Sequence, residues 1–317
     1  MVAPTFDRIV GCLNGLATGD AIGKQTETLS RDDVRRWYPD GVRGFEGTPG
    51  SVIPRYVGNR KHAWTIGETT DDTEGTIAVA RAILENGAPR HETIGRHLLG
   101  CTKSVHPGVA SLWEFHQAGD PSRTTDRHDG CGAAIRVAPV GLVVDSHSIQ
   151  TIVNGAREAA ISTHGGPLAI AAAAATAAAV SAAVDGAEAD VILERAHQAA
   201  DLVSPIFARA IATVAADVST QGTLDPDRIA AVWFPDRPLT IVPLALALAT
   251  VMTSAREAIL VAANVGGDSD SVASIAGAVL GARYPETIDD EWSAVVERIN
   301  GHDMATLARD LARIRQA

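Results

Sequence analysis

Residues 167 to 184, PLAIAAAAATAAAVSAAV, form a stretch without a single charge. It is long enough to cross a bilayer, but alanine contributes little transfer free energy and the run ends at DGAEAD with no anchoring aromatic residue. It therefore predicts a buried, closely packed helix rather than a membrane span. A chain built around such a helix must supply neighbours small enough to reach it.

Helical periodicity extends along the rest of the sequence. IVGCLNGLA sets Ile9, Leu13 and Leu16 on one stripe; GTIAVARAILENG sets Ile77, Ala80 and Leu84 on another and stops at Gly87; SVASIAGAVLGA aligns Val272, Ile275 and Val279. In the last segment Ala273, Gly277 and Gly281 recur four apart, a spacing that lets helices approach closely. Aromatic residues make up only 4% of the chain, and alternating strand-like runs are nearly absent. These features predict a single all-α domain over residues 1–317, with no internal repeat and no dividing linker. The irregular stretches, 38–70 and 117–132, are rich in Gly, Pro, Asp and Ser or Thr. Loops of that length in a compact domain tend to be functional.

A formal charge of -11 argues against a nucleic-acid partner, which needs a basic face. Cys12, Cys101 and Cys131 have no paired spacing, so neither a disulfide framework nor a zinc ribbon is expected, and a reducing, cytoplasmic setting fits. The first residues, MVAPTFDRIVGCLNG, lack the basic start and clean apolar run of a signal peptide. Arginine outnumbers lysine 24 to 3 and alanine is abundant, as in proteins encoded by GC-rich bacterial genomes.

Three acidic clusters share one placement, at the junction between a turn and a helix. They are GDAIGKQTE with Asp20 and Glu27, TTDDTE with Thr70, Asp71, Asp72 and Thr73, and GGDSDS with Asp268, Asp270 and Ser271. Each alone could be a helix cap, because Ser, Thr and Asp accept hydrogen bonds from unpaired N–H groups there. Capping needs one such residue, whereas these segments supply several carboxylates at short spacing. Adjacent carboxylates repel one another unless water screens them or a cation neutralises them. The donors are all oxygen, which suits a hard cation such as Mg²⁺ or Mn²⁺ better than zinc, and their number suits two ions. Spacing alone leaves caps and metal ligands both open.

In order and spacing these three segments resemble the signatures of the ADP-ribosylglycohydrolase family. GCGAAIRVAPVGL (130–142) is similar to that family's glycine-rich loop, and THGGPLAIAAAAA (163–175) to its T-H segment before an alanine-rich helix. The resemblance implies a compact, orthogonal all-α domain with a dinuclear Mg²⁺ or Mn²⁺ centre in a cleft. Carried across, Thr70, Asp71 and Asp72 with Asp270 would hold one ion, Asp268, Asp270 and Ser271 the second, and Asp270 would bridge. Glu27 and Asp270 are the implied catalytic residues. Asp20, the backbone of Gly130, Cys131 and Gly132, and His164 are the implied substrate contacts. Two positions depart from the family pattern: DSDS stands where D-x-D-T is common, and GCG where G-N-G is common.

The implied activity is metal-dependent hydrolysis of the glycosidic bond at the anomeric carbon of an ADP-ribosyl group, on a protein or a small compound. Two other readings stay open: a hydrolase of a smaller ribosyl compound such as a nucleoside, and a non-catalytic ADP-ribose or nucleotide binding module. The intact acid set and Glu27 favour an enzyme.

Overall fold

Helices α1 (Thr5–Gly23) and α14 (Ser269–Arg283) lie backbone against backbone, antiparallel, in this computed structural model. A methyl group at Gly11 would collide with the carbonyl of Gly281, one at Gly15 with that of Gly277, one at Gly19 with that of Ala273, and one at Gly23 with that of Ser269. Small residues every fourth position on both helices thus mesh over the whole length of the pair. Close packing of this kind replaces area burial as the source of cohesion, since each atom gains dispersion contacts on every side. The pairing also brings the C-terminal end of α1 to the N-terminal end of α14, so two acidic clusters far apart in sequence become neighbours.

The structure describes residues 5–47, 56–57, 60–61, 64–103, 108–119 and 128–316, and among these it has sixteen α-helices. The all-α expectation holds. Its one departure is a two-residue antiparallel ladder within the irregular 38–70 stretch, pairing Tyr56 with Lys61 and Val57 with Arg60. The rest of the irregular sequence is described at 38–47, 64–70, 117–119 and 128–132, with 117–118 belonging to the helix Gly108–Ala118; residues 48–55, 58–59, 62–63 and 120–127 lie outside the described residues.

The alanine-rich run is α8 (Pro167–Val184), buried without interruption from Ala169 to Val184. It meets the length and hydropathy of a membrane span, yet 89% of it is enclosed by other helices, as expected of a core helix. Against it pack α6 (Ala138–Val143), α7 (Ile149–Ala160), α9 (Ala189–Asp201), α12 (Pro238–Val251) and α14.

The predicted stripe beginning at Ile77 belongs to α3 (Asp71–Asn86), which ends at Gly87 in the left-handed conformation, φ 73°. Its buried face is rotated from the expected one: Val79, Ala80 and Ile83 are fully enclosed, while Ile77 and Leu84 are half-buried. The helix also begins earlier than its apolar stripe, so that Asp71 and Asp72 form its first turn.

Candidate active site

The first turn of α3 is held from behind by α1. Asp20 is completely buried, and its carboxylate accepts the Thr70 N–H at 2.9 and 3.1 Å, the Thr73 N–H at 3.1 Å and the Thr73 hydroxyl at 2.5 Å. Burial raises its pKa, and those hydrogen bonds oppose the rise. Asp20 therefore sits beneath the Thr70–Asp72 loop and shapes it. The Thr70 hydroxyl caps the helix by accepting the Asp72 N–H at 3.1 Å.

Asp72 is enclosed, and its Oδ2 has no hydrogen-bond partner. Burial drives its pKa well up, and so does the negative charge of Asp270, then of Asp20, Asp71 and Asp268. Asp71, half-buried, is pushed up to about 6, chiefly by burial. The acids of α3 and α14 thus feel each other's charge, as the sequence clusters suggested.

The start of α14 is aimed by Gly266 and Gly267, at φ 84° and 68°. A side chain at Gly266 would strike the Leu29 carbonyl, and one at Gly267 the Pro235 carbonyl, so close approach adds to the backbone requirement for glycine. Gly267 donates to the Leu29 carbonyl and accepts from the Thr28 N–H, both at 2.8 Å, and the Asp268 N–H donates to Pro235 at 2.7 Å. Asp268 occupies the cap position but makes no side-chain cap bond; its Oδ2 instead accepts the Cys131 thiol at 3.2 Å. Asp270 is buried and its Oδ1 accepts the Ser271 N–H at 3.1 Å. Its pKa is held well up by burial and by Glu27, against the opposing pull of Lys24.

Glu27 rides on the turn that Gly267 anchors. Thr28 beside it has φ 68°, the one non-glycine residue at positive φ among the described residues. That conformation costs about 1 kcal/mol or more and persists because the turn is bonded on both sides. Gln25 ties the same turn to the irregular stretch, its Oε1 accepting from the N–H groups of Glu46 at 2.7 Å and Gly47 at 2.8 Å. Glu27 is ion-paired with Lys24, whose ammonium also lies 3.8 Å from Asp270 Oδ2 and 4.9 Å from the centre of the Trp64 ring.

The glycine-rich loop closes another side. Cys131–Ala133 form a 3-10 turn, and Asp129 just before it caps α8 by accepting from Leu168 at 2.8 Å and Ala169 at 3.2 Å. A side chain at Gly132 would meet the His164 ring at 2.8 Å. His164 is buried against that glycine, its Nδ1 2.6 Å from the Thr163 hydroxyl. Arg136 donates to that hydroxyl and, at 3.1 Å, to the Ala159 carbonyl; burial lowers its pKa to about 10. Gly75 leaves room for the Arg136 stem.

The structure therefore brings Thr70, Asp71, Asp72, Asp268, Asp270, Ser271, Glu27 and Cys131 into one neighbourhood. Gly130, Gly132 and His164 line its edge, and Asp20 lies behind it. Sequence reasoning assigned no role to Lys24, Trp64, Arg136 or Asp129, although Lys24 stands inside an acidic motif, Arg136 lies in the 130–142 segment that resembles the family's, and Asp129 directly precedes that segment. The donors fit hard divalent cations: they are all oxygen, they repel one another, and Asp72 Oδ2 is a buried acceptor with nothing to accept. Tighter groupings of histidine and carboxylate occur elsewhere, at His91, Glu92 and Glu158 and at Asp145, His147 and Asp185. In the first of these, Glu158 accepts from both the backbone and the ring of His91 at the start of α4 (His91–Leu98), which accounts for it without an ion. A cavity of about 590 Å³ along α3, lined by Glu74, Arg81, Cys101 and His302 among others, holds none of the predicted site residues.

A sequence model of the ADP-ribosylglycohydrolase family matches residues 1–317. The chain belongs to that family. This ADP-ribosylglycohydrolase family member is 30% identical over 287 residues to an uncharacterised protein of Archaeoglobus fulgidus, covering 87% of this chain and 88% of the relative. It is 27% identical to the uncharacterised protein YegU of Escherichia coli, across 98% of both chains. It is also 25% identical to the ADP-ribosyl-[dinitrogen reductase] glycohydrolase of Rhodospirillum rubrum, over 54% of this chain and 56% of that enzyme. Among solved structures, an ADP-ribosylglycohydrolase-related protein complex superposes with a TM-score of 0.74 at 25% identity, covering 98% of this chain and 99% of that one. Membership supports glycoside hydrolysis in general, in a family that generally uses divalent metals.

Proposed function

We propose that this family member is a metal-dependent hydrolase that cleaves the bond at the anomeric carbon of an ADP-ribosyl group. The observation that carries the reading is the convergence of Asp71, Asp72, Asp268 and Asp270 around the unpartnered Asp72 Oδ2, with Glu27 alongside. Thr70, Asp71, Asp72 and Asp270 would hold one cation and Asp268, Asp270 and Ser271 the other, with Asp270 shared. Two Mg²⁺ or Mn²⁺ ions, when bound, supply positive charge that orients vicinal ribose hydroxyls and acidifies water. The bond breaks through an oxocarbenium-like state, so the protein's own task is to orient the sugar and manage one proton. Glu27 takes that proton task, with Asp270 as the neighbouring carboxylate. The backbone of Gly130, Cys131 and Gly132 is open to close approach by the diphosphate or ribose, and His164 supports the loop from below. Asp20 acts as a positioning residue and not as a direct substrate contact.

One observation favours a smaller ribosyl substrate as a second reading. The Cys131 side chain is engaged with Asp268, so no side chain at that position is left to read the ADP part. Under either reading the partner is an ADP-ribosylated protein or a small ribosyl compound, with no nucleic acid and no membrane, and the free thiols and acidic surface suit a cytoplasmic, single-domain protein. The test is release of ADP-ribose from ADP-ribosyl-arginine and ADP-ribosyl-serine, beside a nucleoside panel, with metal-stripped and Mn²⁺-reloaded protein. Glu27→Gln should retain fold and metal while losing about 100-fold or more in kcat. Undiminished turnover by the metal-stripped protein, or by Glu27→Gln, sinks the corresponding part of the reading.

A further inference from the structure

The chain has only three lysines against 24 arginines, and two of the three meet the same indole. Lys24 and Lys103 lie 4.9 and 5.4 Å from the centre of the Trp64 ring. Lys103 is committed elsewhere, to the Thr69 carbonyl and, at 3.6 Å, to Glu68. Lys24 points the other way in chemical terms: its partners include Glu27 and Asp270, the two residues assigned to catalysis. Its side chain is only 14% exposed, so it is no solvated surface lysine that happens to find a carboxylate.

We propose that Lys24 is a built-in counter-ion of the acid cluster, which occupies the neighbourhood of Asp270 and holds Glu27 until divalent cations displace it. The inference rests on the metal reading above and adds a competitor to it. Of the five acidic groups Asp71, Asp72, Asp268, Asp270 and Glu27, Asp72 and Asp270 are buried and the other three half-buried. Lys24 is placed between two of them, ion-paired with Glu27 and 3.8 Å from Asp270 Oδ2. Arg136 also stands near Asp71, but its guanidinium is bonded to the Ala159 carbonyl and the Thr163 hydroxyl. An ammonium on a flexible four-carbon stem can leave; a guanidinium locked by two bonds cannot. The Trp64 face already attracts the ammonium through a cation–π contact at 4.9 Å, an interaction that does not depend on the carboxylates.

Two consequences distinguish this role from ordinary packing. Divalent ions must either expel the ammonium or share the site with a like charge, so the lysine weakens metal binding. Without metal the same lysine relieves carboxylate repulsion, so it strengthens the apo fold. Removing the charge should therefore shift the two properties in opposite directions, whereas loss of a merely structural residue weakens both.

The experiment uses Lys24→Met, which keeps an apolar stem over Trp64, and Lys24→Arg, which keeps the charge. Calorimetric titration of MnCl₂ into metal-stripped protein, without substrate, should give Lys24→Met at least tenfold tighter binding than wild type and Lys24→Arg within a few-fold of it. Thermal unfolding should place Lys24→Met below wild type in chelator and at or above it in saturating Mn²⁺. Equal or weaker Mn²⁺ affinity in Lys24→Met, or a lower Tm under both conditions, overturns the inference and leaves the metal site standing. Absence of Mn²⁺ binding by wild type overturns the metal reading and the inference with it.

Discussion

The carboxylate of Asp20 accepts the backbone N–H of Thr70 with both its oxygens, at 2.9 and 3.1 Å, across 50 residues of sequence. Through this contact the end of α1 fixes the position of the first ligand loop. Asp20→Asn replaces an acceptor-only group with one that carries an N–H₂, and that amide faces the N–H groups of Thr70 and Thr73. Hydrogen bonds to a charged group contribute about 1.5–3 kcal/mol each, and a loss of roughly that size is expected in urea unfolding. Mn²⁺ affinity should fall as well, because Thr70 and Asp72 lose their support. Wild-type affinity with wild-type stability in Asp20→Asn would separate Asp20 from the site.

The glycine stripe that joins α1 to α14 makes a second, local expectation. Gly15→Ala or Gly277→Ala drives a methyl into a backbone carbonyl of the opposite helix, which cannot move aside as a side chain could. Overpacking costs about 1–3 kcal/mol and occasionally more, and a rigid backbone neighbour places these sites toward the upper end. Gly222→Ala is the control, since nothing lies within 4 Å of a methyl there and its φ is not positive. Chemical unfolding of the three variants should leave Gly222→Ala near wild type and the other two far below it.

Half of that stripe was legible in the sequence. Ala273, Gly277 and Gly281 stand out at four-residue spacing in an otherwise apolar helix, but Gly11, Gly15, Gly19 and Gly23 are interleaved with Asn14, Thr18 and Asp20, which hide the pattern. Spacing also says nothing about which two helices pair. The acid clusters were legible because they hold more carboxylates than capping can use. Asp20 stood out with them, but its role did not, because its partners are the backbone N–H groups of Thr70 and Thr73 and the Thr73 hydroxyl at the start of another helix, and no periodicity reports a cap supplied in trans. The rotated face of α3 has a similar cause: the helix starts at Asp71, where the ligands are placed, and the core takes Val79 and Ile83 from its later turns.

Burial of the acids, with repulsion among them, sets a pH dependence that metal should reverse. Asp71, Asp72 and Asp270 have folded pKa values above their unfolded ones, Asp71 at about 6. Each therefore favours the folded state at low pH, and that contribution is lost as pH rises through the folded value. His302 works oppositely: burial, Lys103 and Arg81 hold it down to about 4, so its contribution is lost as pH falls. The difference between chelated and Mn²⁺-loaded protein separates the two, because protons compete with Mn²⁺ only at the acids. The Mn²⁺-induced rise in Tm should shrink steadily from about pH 7.5 to about pH 5.5. Asp72→Asn, which removes one buried charge, should raise the Tm in chelator and abolish most of the rise with Mn²⁺. A pH-independent metal increment would mean that the ion binds elsewhere.

Cys131 decides how the ligand is read. Its thiol is spent on Asp268 Oδ2 at 3.2 Å, and burial with the neighbouring negative charge of Asp268 raises its pKa, so it stays protonated and donating. A thiol is a weak donor, and an asparagine amide in its place could donate to Asp268 while offering its oxygen to a ligand. If the protein is built for ADP-ribosyl substrates, the N–H groups of the Gly130–Gly132 backbone already supply what the ligand needs, and Cys131→Asn should leave ADP-ribose affinity almost unchanged. If it is built for a smaller ribosyl compound, wild type should bind ADP-ribose weakly, and the added amide should recover a polar contact whose absence costs about 1 to 3 kcal/mol. Calorimetric titration of ADP-ribose into both proteins at saturating Mg²⁺ separates the two cases. The expected change is less than tenfold, because glycines on either side of Cys131 let the main chain approach the ligand whatever side chain lies between them. A gain of tenfold, about 1.4 kcal/mol, would move the assignment to the smaller substrate.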